Sequence, residues 1–129
     1  MIFKIENHDL EVNGIKFSAE VMIAVEEECD TRIEDDISFD DKEAEKLYIA
    51  RFKRGELFIG CITVTARAYG LEGCDVLGAC HLFSNNCFDS TAYERSVNET
   101  LSDYSMVENA LTELKRNIKM QAADLQQFI

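Results

Sequence analysis

The chain of 129 residues has no proline, only two histidines and only six glycines, and each shortage excludes something. Without proline, nothing in the chain forces a break in a long helix. With His8 and His81 as the only histidines, few general bases are available to activate a nucleophile. No glycine lies between Gly14 and Gly55. Since an EF-hand calcium loop needs a central glycine, that loop is excluded from the stretch between them.

Long apolar runs are missing as well. No run approaches the roughly 20 apolar residues that span a membrane, and the first residues lack the apolar core and cleavage site of a signal peptide. The five cysteines are an odd number, which favours free thiols in a reducing compartment. We therefore expect a cytoplasmic protein without membrane contact. Its length fits one domain over residues 1–129.

The charge is strongly one-sided, with a net value of −12. Residues 26–45, here called the acidic segment, hold eleven acidic residues against Arg32 and Lys42, a net charge of −9. Such a field repels phosphate backbones and attracts basic protein surfaces. We expect no direct binding to nucleic acid. The segment loses the alternation of its neighbours, so we predict an exposed acidic loop over residues 26–45, with a helical turn near residues 40–46.

The first third of the chain predicts a β-hairpin. Asn13-Gly14 is typical of a type I′ turn, in which both central residues have positive φ. This turn pairs Val12 with Ile15 and Leu10 with Phe17. Apolar residues then occupy every second position from Ile15 to Val25, which indicates a half-buried strand. The opening residues 1–5 predict a further short strand.

The middle of the chain returns to the same alternation. Tyr48, Ala50 and Phe52 predict a strand that turns at residues 53–55 and continues from residue 57 to 68. A three-residue turn places Tyr48 opposite Gly60, whereas a two-residue turn shifts this pairing. The sequence leaves both turns open.

Residues 74–83 predict the returning strand. Pairing Ala68 with Cys74 sets Arg67 opposite Asp75, a favourable pair of opposite charges. The same register sets Cys61 opposite His81. The second face of this hairpin is too apolar for a solvated surface, so we expect it to pack on a helix or another subunit; it carries Leu57, Ile59, Leu77 and Phe83.

Helices follow. A weak helical pattern begins near residue 90, and Ser105 with Glu108 predicts a capping box at the start of a long amphipathic helix. We therefore predict an α+β fold in which an antiparallel sheet of about five to six strands, connected as hairpins or a meander, packs against C-terminal helices. The strands lie within about residues 1–83 and the helices within about 90–127.

No motif names a reaction. The spacing of Cys74, Cys80, His81 and Cys87 does not match a zinc site. Cys61 and His81 have the right residue types for a nucleophile and its base, but no oxyanion donors accompany them. We predict no catalytic, cofactor-binding or metal-binding residue, and no enzymatic activity.

Charge leads to the first functional hypothesis, a non-catalytic module that binds a basic protein surface. Its sharpest form is an inhibitor that mimics nucleic acid, of the kind that phages use against host defences or that neutralises nuclease toxins. The alternative hypothesis is an oligomeric structural or accessory protein, and a third is a small cysteine- or metal-dependent enzyme. The residues predicted to contact the basic partner are Glu27, Glu28, Asp30, Glu34, Asp35, Asp36, Asp40 and Asp41.

Overall fold

The computed structural model describes residues 1–28, 37–84 and 91–127. Within them, four antiparallel strands form one sheet in the order β1-β2-β3-β4, and three helices accompany it. The predicted α+β class is confirmed, with two helices at the C-terminal end, but the described sheet has four strands and not five to six. In chain order the elements are β1 (Ile2–Val12), β2 (Ile15–Glu27), α1 (Lys42–Lys53), β3 (Leu57–Ala68), β4 (Leu71–Phe83), α2 (Ala92–Asp103) and α3 (Met106–Gln126).

The strand count differs for two reasons. The opening residues do not form a separate strand, because β1 runs without interruption to Val12, with one register shift between Ile2 and Lys4. The stretch around Tyr48 is helix α1, so the predicted strand and its pairing with Gly60 are wrong. The alternation there spans only three apolar residues, and two of them, Tyr48 and Phe52, also have the four-residue spacing of a helical stripe.

The turn and the register of the first hairpin are as predicted, although Ile15, the first residue of the predicted apolar face, is exposed. Asn13 and Gly14 have φ values of 52° and 80°, and the register pairs Val12 with Ile15 and Leu10 with Phe17. The alternating residues of β2 from Ala19 to Val25 are buried. The hairpin signal was strong because Asn and Gly both tolerate positive φ.

The predicted register of the second hairpin is wrong. β3 ends at Ala68 and β4 begins at Leu71, and both residues between them have positive φ, 55° at Tyr69 and 74° at Gly70. The turn is therefore a two-residue turn, and the Arg67 guanidinium pairs with Glu72 at 2.8 Å, not with Asp75. The predicted pairing of Cys61 with His81 stays a prediction.

Helix α3 begins at Met106, as the sequence indicates, but its predicted capping box is absent. Ser105 is left-handed, with φ 50°, and its side chain makes no capping hydrogen bond. Its carbonyl accepts the first helical bond from the Asn109 amide at 2.9 Å, and the Asn109 side chain donates to the Tyr104 carbonyl at 3.1 Å. Ser105 does not have the extended backbone conformation that an N-cap residue typically adopts, and its side chain does not cap the helix.

The chain divides into two compact units, each with a core of its own. The hairpin unit comprises Met1–Val25, Thr63–Val76 and Tyr104–Ile129, and the acidic unit comprises Glu26–Ile62 and Leu77–Asp103. The single domain over residues 1–129 stays a prediction. Buried residues of the hairpin unit include Ala19, Val21, Ile23, Val64, Met106, Ala110 and Leu114; those of the acidic unit include Leu57, Ile59, Ile62, Leu82, Val97 and Leu101.

Candidate functional site

The described part of the acidic segment has two stretches, the end of β2 and the start of α1. Glu26 and Glu27 at the end of β2 are exposed, and so are Asp40 and Asp41 before α1. Four other residues predicted to contact a partner lie outside the described residues. They are Asp30, Glu34, Asp35 and Asp36.

Glu28 is held by its own chain. Its amide donates to the Ile59 carbonyl at 2.9 Å, and its carboxylate accepts the Ala79 amide at 3.0 Å. A Cβ atom on Gly78 would lie 2.8 Å from the same carboxylate oxygen, so the missing side chain makes room for Glu28 to reach β4. This carboxylate is half-buried and acts in the fold, which makes it the least accessible of the described candidate contacts.

Asp41 caps helix α1. Its Oδ1 atom accepts the amides of Glu43 at 3.0 Å and Ala44 at 3.3 Å, which satisfies two of the free amides at the helix start. Asp40 precedes the cap and is exposed. The run of acidic residues thus ends in a defined helix start, where the predicted helical turn over residues 40–46 extends to a full helix.

Two local ion pairs reduce the charge of the first turns of α1. Lys42 lies 3.2 Å from Glu45, and Lys46 lies 3.8 Å from Glu43. The second pair is exposed on both sides, so it contributes little to stability and leaves both groups accessible to a partner. The surface at the start of α1 is therefore acidic but not purely so.

An aromatic cluster attaches α1 to β4 in the acidic unit. The Tyr48 hydroxyl lies 2.9 Å from Nδ1 of His81, and the Tyr48 ring centroid lies 5.3 Å from those of Phe39 and Phe52. The Arg51 guanidinium lies 5.0 Å from the ring centroid of Phe83. These contacts attach α1, and with it the acidic residues at its start, to β4.

Sequence reasoning missed this cluster because it assigned residues 48–52 to a strand. The signal that could have found it is Asp41 as an N-cap followed by Glu43 and Glu45, since acidic residues are favoured in the first turn of a helix. The second sheet face was expected to pack on a helix or another subunit. At Phe83 it does pack on a helix, α1.

Three of the five cysteines lie within the described residues. Cys61, Cys74 and Cys80 are free thiols, and burial raises the pKa of the Cys80 thiol, which disfavours the nucleophilic thiolate. The Cys80 thiol donates to the Leu77 carbonyl at 3.4 Å. Within residues 1–28, 37–84 and 91–127, no group of three or more His, Cys, Asp or Glu side chains could hold a metal ion. Cys29 and Cys87 lie outside these ranges.

No helix in the described part of the chain is long and apolar enough to cross a membrane. Comparisons with protein families, with curated proteins and with solved structures found no match.

Proposed function

We propose that this protein is a non-catalytic binding module whose acidic segment docks on a basic protein surface in the cytoplasm. The observation that supports it best is the exposed pair Asp40-Asp41 at the start of a helix that the Tyr48–His81 hydrogen bond attaches to β4. A carboxylate on a rigid element loses little conformational entropy on binding. The net charge of −9 over residues 26–45 adds long-range attraction for a cationic partner.

The sharper form of this proposal is an inhibitor that imitates nucleic acid, of the phage anti-defence or immunity type. A partner of this kind presents the basic groove with which it normally binds DNA or RNA. Binding would then weaken with salt, as phosphate contacts do, and nucleic acid would compete for the same groove. Competition by nucleic acid therefore distinguishes binding in this groove from attraction to a basic surface elsewhere on the partner.

The test uses a variant in which four carboxylates become amides, namely Asp35→Asn, Asp36→Asn, Asp40→Asn and Asp41→Asn. Asn is as good an N-cap as Asp, so the last change keeps the start of α1. The matched control makes the same change of charge at exposed positions elsewhere, with Glu11→Gln, Glu20→Gln, Asp103→Asn and Asp124→Asn.

Immobilised wild type, variant and control are each exposed to a purified set of nucleic-acid-binding proteins at low and high salt. We expect the wild type and the control to retain the same binding protein at low salt, and the variant not to retain it. High salt or an excess of duplex nucleic acid should release the protein from the wild type and the control. Equal retention by variant and wild type contradicts docking through the acidic segment. If salt releases the bound protein but excess nucleic acid does not, the acidic segment still docks on a basic surface, but it does not imitate nucleic acid.

The alternative, an oligomeric structural or accessory protein, has one observation in its favour. The edge strand β1 exposes large apolar side chains, with Ile2 at 56% and Ile5 at 53%. Isolated exposed apolar residues are ordinary, but these two lie on an open sheet edge.

A further inference from the structure

Strand β1 lies at one edge of the described sheet, with β2 as its only neighbour there. The hydrogen bonds between the two strands alternate. The Val25 amide donates to the Met1 carbonyl at 2.9 Å, and the Met1 ammonium donates to the Val25 carbonyl at 3.1 Å. The backbone groups of the odd-numbered residues of β2 therefore form hydrogen bonds with β1. Their partners on β1 are the even-numbered residues from Lys4 to Val12. The backbone N–H and C=O groups of the odd-numbered residues between them point away from the sheet.

Four consecutive outward positions result, on a regular stretch without proline. They are Ile5, Asn7, Asp9 and Glu11, and all four side chains are exposed. Such a row of unpaired donors and acceptors is a template for another strand.

The opposite edge, β4, is closed to such pairing at two points. In the hairpin unit, the Asn117 amide group donates to the Glu72 carbonyl at 2.7 Å. In the acidic unit, the Ala79 amide is taken by the Glu28 carboxylate, and Ala79 itself is left-handed, with φ 54°. Side-chain caps and backbone irregularities of this kind protect edge strands. The contrast leaves β1 as the edge that can accept a strand.

The side chains of β1 limit what that strand can be. Glu6 lies 3.1 Å from Lys4 and 2.8 Å from His8, so one face of the strand carries a carboxylate between an ammonium group and an imidazole. Opposite charges directly across a strand pair are favourable, and like charges are unfavourable. A strand with the same row, running antiparallel, can set the Glu6 carboxylate of each copy against a basic side chain of the other.

We propose that the β1 edge binds the β1 edge of a second copy of this chain, antiparallel, about a two-fold axis at Asn7. In this register Glu6 faces His8 of the second copy, and symmetry repeats the pair. The outward groups of Asn7 bond to those of Asn7 of the second copy, and Ile5 pairs with Asp9. Centring the axis on Glu6 or Asp9 would bring like charges together, and centring it on Ile5 would bring the register shift between Ile2 and Lys4 into the interface. The interface does not involve the acidic segment, so it stands or falls separately from the proposed function.

The first measurement is the mass of the wild type by sedimentation over a range of concentrations, at high salt. Salt is needed because two copies with a net charge of −12 each repel one another. We expect a monomer–dimer equilibrium. A wild type that stays monomeric at the highest concentration overturns the proposal. The proposal is then wrong even if the β1 edge binds an extended peptide of a different protein.

Two variants test the edge itself. Asn7→Pro removes an outward amide and keeps the bonds to β2, which is why proline is tolerated on edge strands. We expect it to weaken the dimer by about 30-fold or more, because two symmetry-related hydrogen bonds are lost. Asn7→Lys tests the same position without introducing a proline. It places two ammonium groups opposite each other at the axis, so we expect it to favour the monomer as well.

Each variant has a control. Asn7→Thr keeps the backbone amide and dimerises like the wild type. Asn98→Lys adds the same charge at an exposed position of α2 and leaves the dimer intact or strengthens it. Circular dichroism confirms that each variant is folded. A folded Asn7→Pro or Asn7→Lys variant with wild-type dimerisation rules out the β1 edge.

Disulfide trapping tests the register. Directly opposed residues that do not share hydrogen bonds lie at a Cα separation of about 4.5 Å, which suits a disulfide. Glu6→Cys and His8→Cys chains, mixed and oxidised, therefore give a covalent heterodimer, and neither chain alone gives a comparable yield. Equal yields from the single variants and the mixture overturn the axis at Asn7.

Discussion

The hairpin unit and the acidic unit join helix to sheet in different ways. In the hairpin unit the backbone of α3 lies directly on β4, since a Cβ atom on Gly73 would overlap backbone atoms of Ala110 and Leu114. In the acidic unit aromatic side chains make the contact, as in the stack of Phe58 on Tyr93 at 6.3 Å. Backbone atoms cannot move aside one at a time, whereas side chains can change rotamer. The hairpin unit should therefore be the less tolerant of added volume.

Adding one methyl group at Gly73 gives the largest expected effect. We expect Gly73→Ala to lower the free energy of unfolding by about 3 kcal/mol, because α3 must shift to accommodate it. Urea denaturation followed by circular dichroism measures the loss. Wild-type stability for this variant would mean that α3 does not approach β4 so closely.

The matched variant is Gly60→Ala in the acidic unit. There a Cβ atom would meet the side-chain ends of Phe58 at 2.9 Å and Leu82 at 3.2 Å, besides the Glu26 carbonyl at 3.1 Å. The side chains can shift, so we expect a loss of about 1 kcal/mol or less. Equal losses at the two glycines would remove the contrast between the units.

Tyr48→Phe tests how much one hydroxyl group contributes to the stability of the acidic unit. It removes the hydrogen bond to His81 and keeps the ring against Phe39 and Phe52. We expect the free energy of unfolding to fall by about 1 kcal/mol. Tyr104→Phe, at an exposed tyrosine, is the control and should be neutral. A neutral Tyr48→Phe would mean that ring packing alone holds α1.

The smallest effect concerns the hairpin unit and appears as a pH dependence. A hydrogen bond from His8, aided by Lys4, lowers the pKa of Glu6 below its ordinary value of 4.5. A lowered carboxyl pKa stabilises the fold above the unfolded-state value, and this contribution is lost as the pH falls through the folded-state value. We therefore expect the stability gap between wild type and Glu6→Gln to narrow as the pH falls below 4.5.

Asp9→Asn is the control for this pH dependence. It removes an exposed carboxylate from the same strand, and the register partner of Asp9 on β2 is the uncharged Ser18. Its stability should run parallel to that of the wild type through the same pH range. A parallel course for Glu6→Gln as well would show that the Lys4–Glu6–His8 row does not stabilise the fold.

Local chemistry decided how far the fold could be predicted from the sequence. Asn13-Gly14 specifies its turn because both residues accept positive φ, and the first hairpin follows with its register. Tyr69 also has positive φ, at 55°, but a bulky residue rarely adopts it. The register of the second hairpin was therefore lost. Helix α1 was missed because a short alternation of apolar residues fits either period.

The candidate site was predictable in charge but not in geometry. The acidic run is evident from composition, and exposure of Asp40 and Asp41 follows from it. That Glu28 turns back to the Ala79 amide was not foreseeable, because it depends on Gly78, which is fifty residues further along the chain and only adjacent to Glu28 in the folded structure. Long-range contacts of this kind leave no local pattern to recognise.

The caps on β4 also limit how large an assembly can become. A sheet with two open edges can add copies at both ends without limit, which is how strand-built fibrils grow. Here Asn117 and Glu28 occupy one edge, so joining at the other edge consumes the remaining growth point of each copy. Assembly through the β1 edge would then end at a dimer. A change that exposed part of the β4 edge, such as Glu28→Ala, would remove one of the two features that prevent filaments.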